Sequence, residues 1–203
     1  MIIVLSGKKR VGKDTVADEM KHQIFMHYAK IGVPNNQIVT ALKTPLAMPI
    51  KEIVRDMTGV PISVLDEHKD IPLLGFKKFK SNKTPRDFYK EVGDRLSEIF
   101  GKECFVKHIV REIQSWQQEI AEHFIIPDMR FDFEFNYLKQ IPDTVFIRVK
   151  RDIPNNDTHP SETSLDDVPD SEFDYVIENN ENLLFLKEEV ERILKELKII
   201  TNE

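Results

Sequence analysis

Cysteine is almost missing from this chain: Cys104 stands alone among 203 residues. A single thiol closes no intrachain disulfide, so the fold must rest on a buried core, and a reducing compartment fits. Cys104 sits in the helical-looking pattern GKECFVKHIV and reads as a small core residue. Long hydrophobic runs are missing as well, and none approaches the length of a membrane span. The apolar start, MIIVL, is too short for a signal-peptide core and lacks a cleavage pattern after it. A cytoplasmic protein with no membrane partner is therefore expected. Positive charge is not in excess either. The net charge of −6 argues against a nucleic-acid coat, while a local basic cluster could still hold a small anionic substrate. The short run Lys77-Lys78-Phe79-Lys80 reads as a solvated loop, and no metal-spaced Cys/His set occurs.

What is present is an ordinary globular composition, 40% hydrophobic and 32% charged, long enough for one domain over residues 1–203 with inserted lobes. The run IIVL at 2–5 reads as a strand buried on both faces, as in a parallel sheet. From Lys13 the period becomes helical, with Val16, Met20 and Ile24 on one face and a stop before Gly32-Val33-Pro34. Further strands are expected at 38–42, 124–126, 145–149 and 173–177. Helices are expected at 45–56 (Leu46, Ile50, Ile53 and Val54 inward), 84–101, 105–121 and 181–197 (Leu184, Val190, Ile193, Leu194 and Leu197 inward). Residues 57–84 read as an irregular insertion and residues 150–172 as a mobile loop. Alternating strands and helices predict an α/β fold with a parallel sheet and right-handed crossovers.

The chemistry begins at SGKKRVGKDT, residues 6–15. It matches the phosphate-binding loop G-x-x-x-x-G-K-S/T at Gly7, Gly12 and Lys13, but Asp14 fills the hydroxyl slot and Thr15 follows one residue late. A strand before and a helix after are the setting that motif requires. Loop amides and the helix dipole would face phosphate, with Lys13 as the cation. Asp14 and Thr15 are both candidates for a magnesium shell, which prefers oxygen ligands. Asp128 and Arg130 lie just past the third strand, where α/β sheets bind ligands. Arg86 opens a helix capped by Thr84-Pro85, and Lys90, Gly93 and Ser97 share its face: a phosphate clamp or a solvated face with a packing glycine. Arg148, Lys150 and Arg151 lead into the loop holding His159-Pro160-Ser161-Glu162, which could close over phosphates.

Several segments together resemble a known family. SGKKRVGKDTVAD at 6–18, TALKTPLAMPIKEIV at 40–54, TPRDFYKEVGDRL at 84–96, IIPDMRFDFE at 125–134, HPSE at 159–162 and FDYVIEN at 173–179 are similar, in the same order, to the phage-type deoxynucleoside monophosphate kinases. G-K-D-T is itself a feature of that group. The resemblance implies a P-loop kinase with a five-stranded parallel sheet flanked by helices, an acceptor-nucleotide (NMP-binding) region at about 40–104 and a lid loop at about 150–172. It implies ATP and Mg2+ as cofactors, a dNMP as acceptor and no nucleic-acid partner, in the cytoplasm (the host's, if phage-encoded); a homodimer stays open. Carried over, Gly7, Lys8, Gly12, Lys13, Asp14 and Thr15 would bind donor phosphates, with Asp14 and Thr15 nearest the metal and Asn179 near the adenine. Lys13, Asp128, Arg130 and Arg151 would act in transfer, and Lys43, Arg86, Lys90, Asp128, Arg130 and Glu162 would bind substrate. Pro127 and the Lys90–Asp94 stretch KEVGD depart from the usual pattern. Animal-type phosphomevalonate kinase shares several of these features, but the 40–54 and 84–96 segments look more like the phage enzymes. A regulatory NTP-binding protein is the alternative of another class; a guanine switch would want N-K-x-D, and the NKTP at 82–85 lacks the Asp.

Overall fold

The computed structural model describes residues 1–33, 41–75, 79–116, 120–154 and 158–201. The chain divides into two compact units, one formed by residues 1–45 and 109–203, the other by residues 46–108.

The first unit is built on a five-stranded parallel sheet in the order β2-β3-β1-β4-β5. The strands are β1 (Ile2–Ser6), β2 (Ala41–Lys43), β3 (His123–Met129), β4 (Thr144–Lys150) and β5 (Tyr175–Glu178). β1 is central, and all five of its residues are buried, as an uninterrupted apolar run demands of a strand covered on both faces. Helix α1 (Lys13–Lys30) presents Val16, Ala17, Met20 and Ile24 to the core, each wholly buried. They pack with Ile3, Leu5, Ile125 and Ile147 of the sheet and with Leu186, Val190, Ile193 and Leu194 of α8 (Leu183–Glu196). The helical spacing seen in the sequence is thus a real seam between α1 and α8.

β3 runs through Pro127, a residue that cannot donate to a ladder. Two features accommodate it. Pairing to β2 stops at Lys43↔Ile125, before the proline. On the other side the register with β1 slips between Val4↔Ile126 and Ser6↔Met129, so β3 carries one extra residue there. Such a bulge bends the strand and re-aims the side chains beyond it. Here those are Asp128 and, past the strand end, Arg130.

The second unit holds α2 (Met48–Thr58), α3 (Ile62–Glu67), a 3-10 turn at Leu73–Gly75, α4 (Pro85–Phe100) and the start of α5 (Cys104–Trp116). Its own core is Val54, Val60, Leu65 and Leu73, packed with Phe79, Phe88, Tyr89 and Val92. The irregular insertion expected over 57–84 is therefore partly helical and supplies Val60, Leu65 and Leu73 of that core. Thr84 caps α4 by accepting from the Asp87 amide while the Asp87 carboxylate returns to the Thr84 amide, so the helix start read from the sequence is present. Gly93 lies where a Cβ would meet Ile50 Cδ1 at 3.1 Å, which makes it a packing glycine of the α2–α4 crossing.

Other expectations need correction. Ile53 and Leu184 point outward, 37% and 65% exposed, because Val54 and Leu186 take the inward positions one and two residues on. A helix not foreseen, α6 (Asp132–Leu138), follows β3, and the 150–172 loop contains α7 (Pro160–Thr163) and a 3-10 turn at Asp170–Glu172. β5 begins at Tyr175 rather than 173. The strand expected at 38–42 is observed as Ala41–Lys43, and residues 38–40 lie outside the described residues, as do Lys77 and Lys78 of the basic run and residues 117–119 of the helix expected at 105–121.

Gly7 sits at a close approach of two strands as the chain leaves β1. Its φ is +147°, and a Cβ would lie 2.2 Å from the Val149 carbonyl oxygen, a backbone atom of β4. Gly32 has φ +82° with open space around it. Gly7→Ala is expected to cost more than about 4 kcal/mol, through steric overlap with a neighbouring strand. Gly32→Ala is expected to cost only ~1–2 kcal/mol, for a left-handed residue alone. Urea unfolding of the two variants checks the contrast, and equal midpoints would refute it.

Candidate active site

The loop between β1 and α1 holds its shape by three devices. Gly12 is the residue before the helix, in the left-handed region at φ 101°. Asn179, just after β5, donates from Nδ2 to the Val11 carbonyl at 2.8 Å, and its own amide is held by the Lys150 carbonyl at 2.7 Å. A Cβ on Gly12 would fall 2.4 Å from that Asn179 nitrogen, so the glycine is required for the tie. Arg10 takes φ 68°, a left-handed value unusual for a side chain of its kind.

Lys13 begins α1 and is buried. Its ammonium donates to the Gly7 carbonyl at 2.6 Å and the Lys8 carbonyl at 2.8 Å. Burial, and next the nearby Arg130 guanidinium, bring its pKa down to about 8; Glu162, Asp14 and Asp128 oppose this. Arg130 pairs through Nη1 with the Glu162 carboxylate, whose other oxygen accepts from the Lys9 amide of the loop at 2.6 Å. Glu162, expected at the substrate, thus has both oxygens on protein donors. Gly7, Lys8, Arg130 and Glu162 of this group, with Arg151, line a cavity of about 420 Å3.

The turn after β3 is held by a residue that the sequence did not single out. Glu134, the third residue of α6, accepts from the Arg130 amide at 2.8 Å and the Phe131 amide at 3.0 Å. Asp128 is half-buried at the end of β3, close enough to Lys13 and Glu134 to influence both. Glu134 is buried, and that burial pushes its carboxyl up to about 7 despite the two amide bonds and the Arg130 charge, with Asp128 adding to the rise. A signal existed in the sequence: an acid three residues past the residue that caps a helix is a capping position. With α6 itself unrecognised, the position could not be read.

The basic residues around β4 separate by role. Arg148 is largely buried and donates to the Val168 and Leu165 carbonyls and to Asp170, with its guanidinium 4.0 Å from the Phe173 ring centre. Lys150 also pairs with Asp170, at 2.7 Å. Both therefore fasten the 165–173 segment to the end of β4. Arg151 is exposed, and among the described residues no ion pair holds it. At the head of α1, Asp14 and Asp18 lie one turn apart and both reach Lys43 Nζ of β2, at 3.1 and 3.0 Å. Burial alone would depress Lys43, but the bonds to Asp18 and Asp14 outweigh it and hold its pKa above the ordinary value. Thr15 is exposed beside Asp14. In the second unit, Arg86 forms a two-pronged pair with Asp70 at 2.6 and 3.2 Å, and Lys90 is exposed.

Glu134 gives a pH-dependent stability. Between its ordinary 4.5 and about 7, the unfolded chain releases a proton that the folded chain keeps. This contribution is fully present below 4.5 and is lost as pH rises to 7, up to about 3 kcal/mol. Glu134→Gln keeps an acceptor for the two amides and removes the titration. The variant should gain on wild type across that window in urea unfolding at stepped pH, and parallel profiles would refute the assignment.

Among solved structures, a dephospho-CoA kinase from Campylobacter jejuni is a structural neighbour, with TM-score 0.46 and 14% identity over 97% of this chain and 96% of that one. Among curated proteins none matches the sequence. The family model for deoxynucleotide monophosphate kinase matches residues 86–190, from the start of α4 through the Asp128–Arg130 turn and β5 into α8. That match spans more than half of the chain, and the protein belongs to the deoxynucleotide monophosphate kinase family.

Proposed function

We propose that this kinase transfers the γ-phosphoryl group of ATP to a deoxynucleoside monophosphate, with Mg2+, giving a dNDP and ADP. The observation that carries the reading is the convergence of Lys13 and Arg130 on the loop after β1, whose Gly7 and Lys8 line a cavity together with Arg130. Phosphoryl transfer needs positioning and charge stabilisation more than covalent chemistry. Loop amides and the N-terminus of α1 receive the donor phosphates. Lys13 leaves the Gly7 and Lys8 carbonyls for a phosphate oxygen, and Arg130 offsets charge on the transferring group. The attacking oxygen belongs to a phosphate already anionic near neutral pH, so Asp128 needs only to orient it. Arg151 and the 159–162 segment act as a lid that keeps water from the donor. Lys43, Arg86 and Lys90 contribute to acceptor binding, and Asn179 lies on the side of the donor base. The exposed oxygens of Asp14 and Thr15 suit a hard cation, which would neutralise charge between donor phosphates. No helix among the described residues is long and apolar enough to cross a membrane, and with the acidic net charge this favours a cytoplasmic setting, the host's if phage-encoded, with no nucleic-acid partner.

The test incubates the protein with Mg-ATP and, separately, each dNMP, each NMP and phosphomevalonate, following ADP. Turnover dependent on a dNMP is expected. ADP release that ignores the acceptor would point to a nucleotide switch, and silence with every acceptor would end the kinase reading. Lys13→Ala should lose roughly 10³-fold in kcat while remaining folded. Because the ammonium must be charged, kcat/KM should fall as pH rises past about 8, and bound phosphate should move the limb of kcat to higher pH. Limbs that coincide would take Lys13 out of phosphate contact.

A further inference from the structure

We propose that Glu162 is a positioning residue for phosphoryl transfer, fixing Arg130 against the phosphate loop and coupling the segment after β4 to that loop. This rests on the kinase reading above. The Glu162 side chain is only 3% exposed. Its two oxygens serve two different parts of the fold, the Lys9 amide of the loop and the Arg130 guanidinium beyond β3. A carboxylate so buried is costly unless donors complete its bonding, and here a charged donor and a backbone amide do so.

The helix that carries it is fastened on both sides. The Glu162 amide donates to the His159 carbonyl at 2.8 Å within α7. Ser164, just past α7, accepts from the Asp132 amide at 3.0 Å and donates to its carboxylate at 3.2 Å. The turn bearing Arg130 is thus gripped through its backbone by Glu134 and through its side chain by Glu162. An anionic group whose oxygens are both engaged is poorly placed to meet an anionic substrate. It is well placed to orient a cation that does. Arg130 has five N–H donors and is 34% exposed at the cavity, so donors that Glu162 does not use remain for phosphate. The same carboxylate offsets the repulsion between Arg130 and Lys13, two cations held close together.

Orientation of a charge-stabilising group matters most in the transition state, so its loss appears in kcat rather than in ground-state binding. The experiment measures kcat, KM and ADP affinity for wild type, Glu162→Gln, Arg130→Lys and the double variant, with an unfolding midpoint for each. Glu162→Gln keeps an acceptor for the Lys9 amide but removes the charge that holds Arg130. Its kcat should fall roughly 10- to 100-fold with ADP affinity changed by less than about threefold. The double variant should be no worse than the poorer single one, since both disturb one interaction. An unchanged kcat, or losses that multiply, would overturn the proposal. So would tighter ADP binding, the result if Glu162 merely held the phosphate's place. If Glu162→Gln does not fold, Glu162→Asp, with the charge kept and the reach shortened, should show the same loss, and full activity there would be equally decisive against it. A wild-type enzyme inactive on every dNMP would instead defeat the kinase reading itself.

Discussion

Two cations cannot share a partly dry loop without an anion between them, and the architecture of this site derives from that constraint. Lys13 is buried beside Arg130, whose guanidinium disfavours the charge of the ammonium. Glu162 supplies the negative charge from the segment after β4, while the Gly7 and Lys8 carbonyls accept hydrogen bonds from the Lys13 ammonium. A nucleotide brings several negative charges of its own to such a place. On the proposed reading the loop is arranged around charges that await a phosphate, at a cost that the surrounding sheet must carry. The sheet does so through rigid contacts: Gly7 against the Val149 carbonyl and Asn179 against Val11 leave the loop little freedom to relax.

Much of that sheet was legible in the sequence because its signals are local. An apolar run followed by glycine and then by helical spacing specifies a buried strand, a turn and an amphipathic helix, and β1, the loop and α1 appear as read. The strand–turn–helix setting of the G-x-x-x-x-G-K pattern could be recognised for the same reason. Where the signal was weak, the reading slipped. In α6, DFEFNYL is seven residues with phenylalanines two apart, a strand-like alternation too short to reveal its helical period. Leu184 and Ile53 sit at helix positions where a neighbour one or two residues away is equally apolar, and packing chose the neighbour.

The partners of the residues around the site were hidden for a different reason. Arg148 acts on carbonyls and a carboxylate 17 to 22 residues away, and Glu162 acts on an amide 153 residues away. Nothing in local composition marks such partners. A cluster of basic residues at a strand end looks uniform in sequence, yet folding divides it into two fasteners, Arg148 and Lys150, and an exposed residue, Arg151. The ambiguity over Gly93 ended in the same way, once Ile50 was seen to lie against it.

The unusual G-K-D-T sequence gains a physical meaning from its surroundings. A carboxylate in the first turn of α1 is favoured by the helix dipole, so Asp14 needs no special compensation there. What it adds over a hydroxyl is a charge, and with Asp18 one turn later it holds the Lys43 ammonium at the end of β2. Exchanging the hydroxyl for a carboxylate thus couples the second strand of the chain to the head of α1, with Lys43 bridging two carboxylates. A cation arriving with donor phosphates would meet Asp14 already in contact with this lysine, whereas Thr15 beside it brings a neutral oxygen. The two neighbouring residues thus differ in their surroundings: Asp14 pairs with a basic side chain, and Thr15 keeps an exposed hydroxyl.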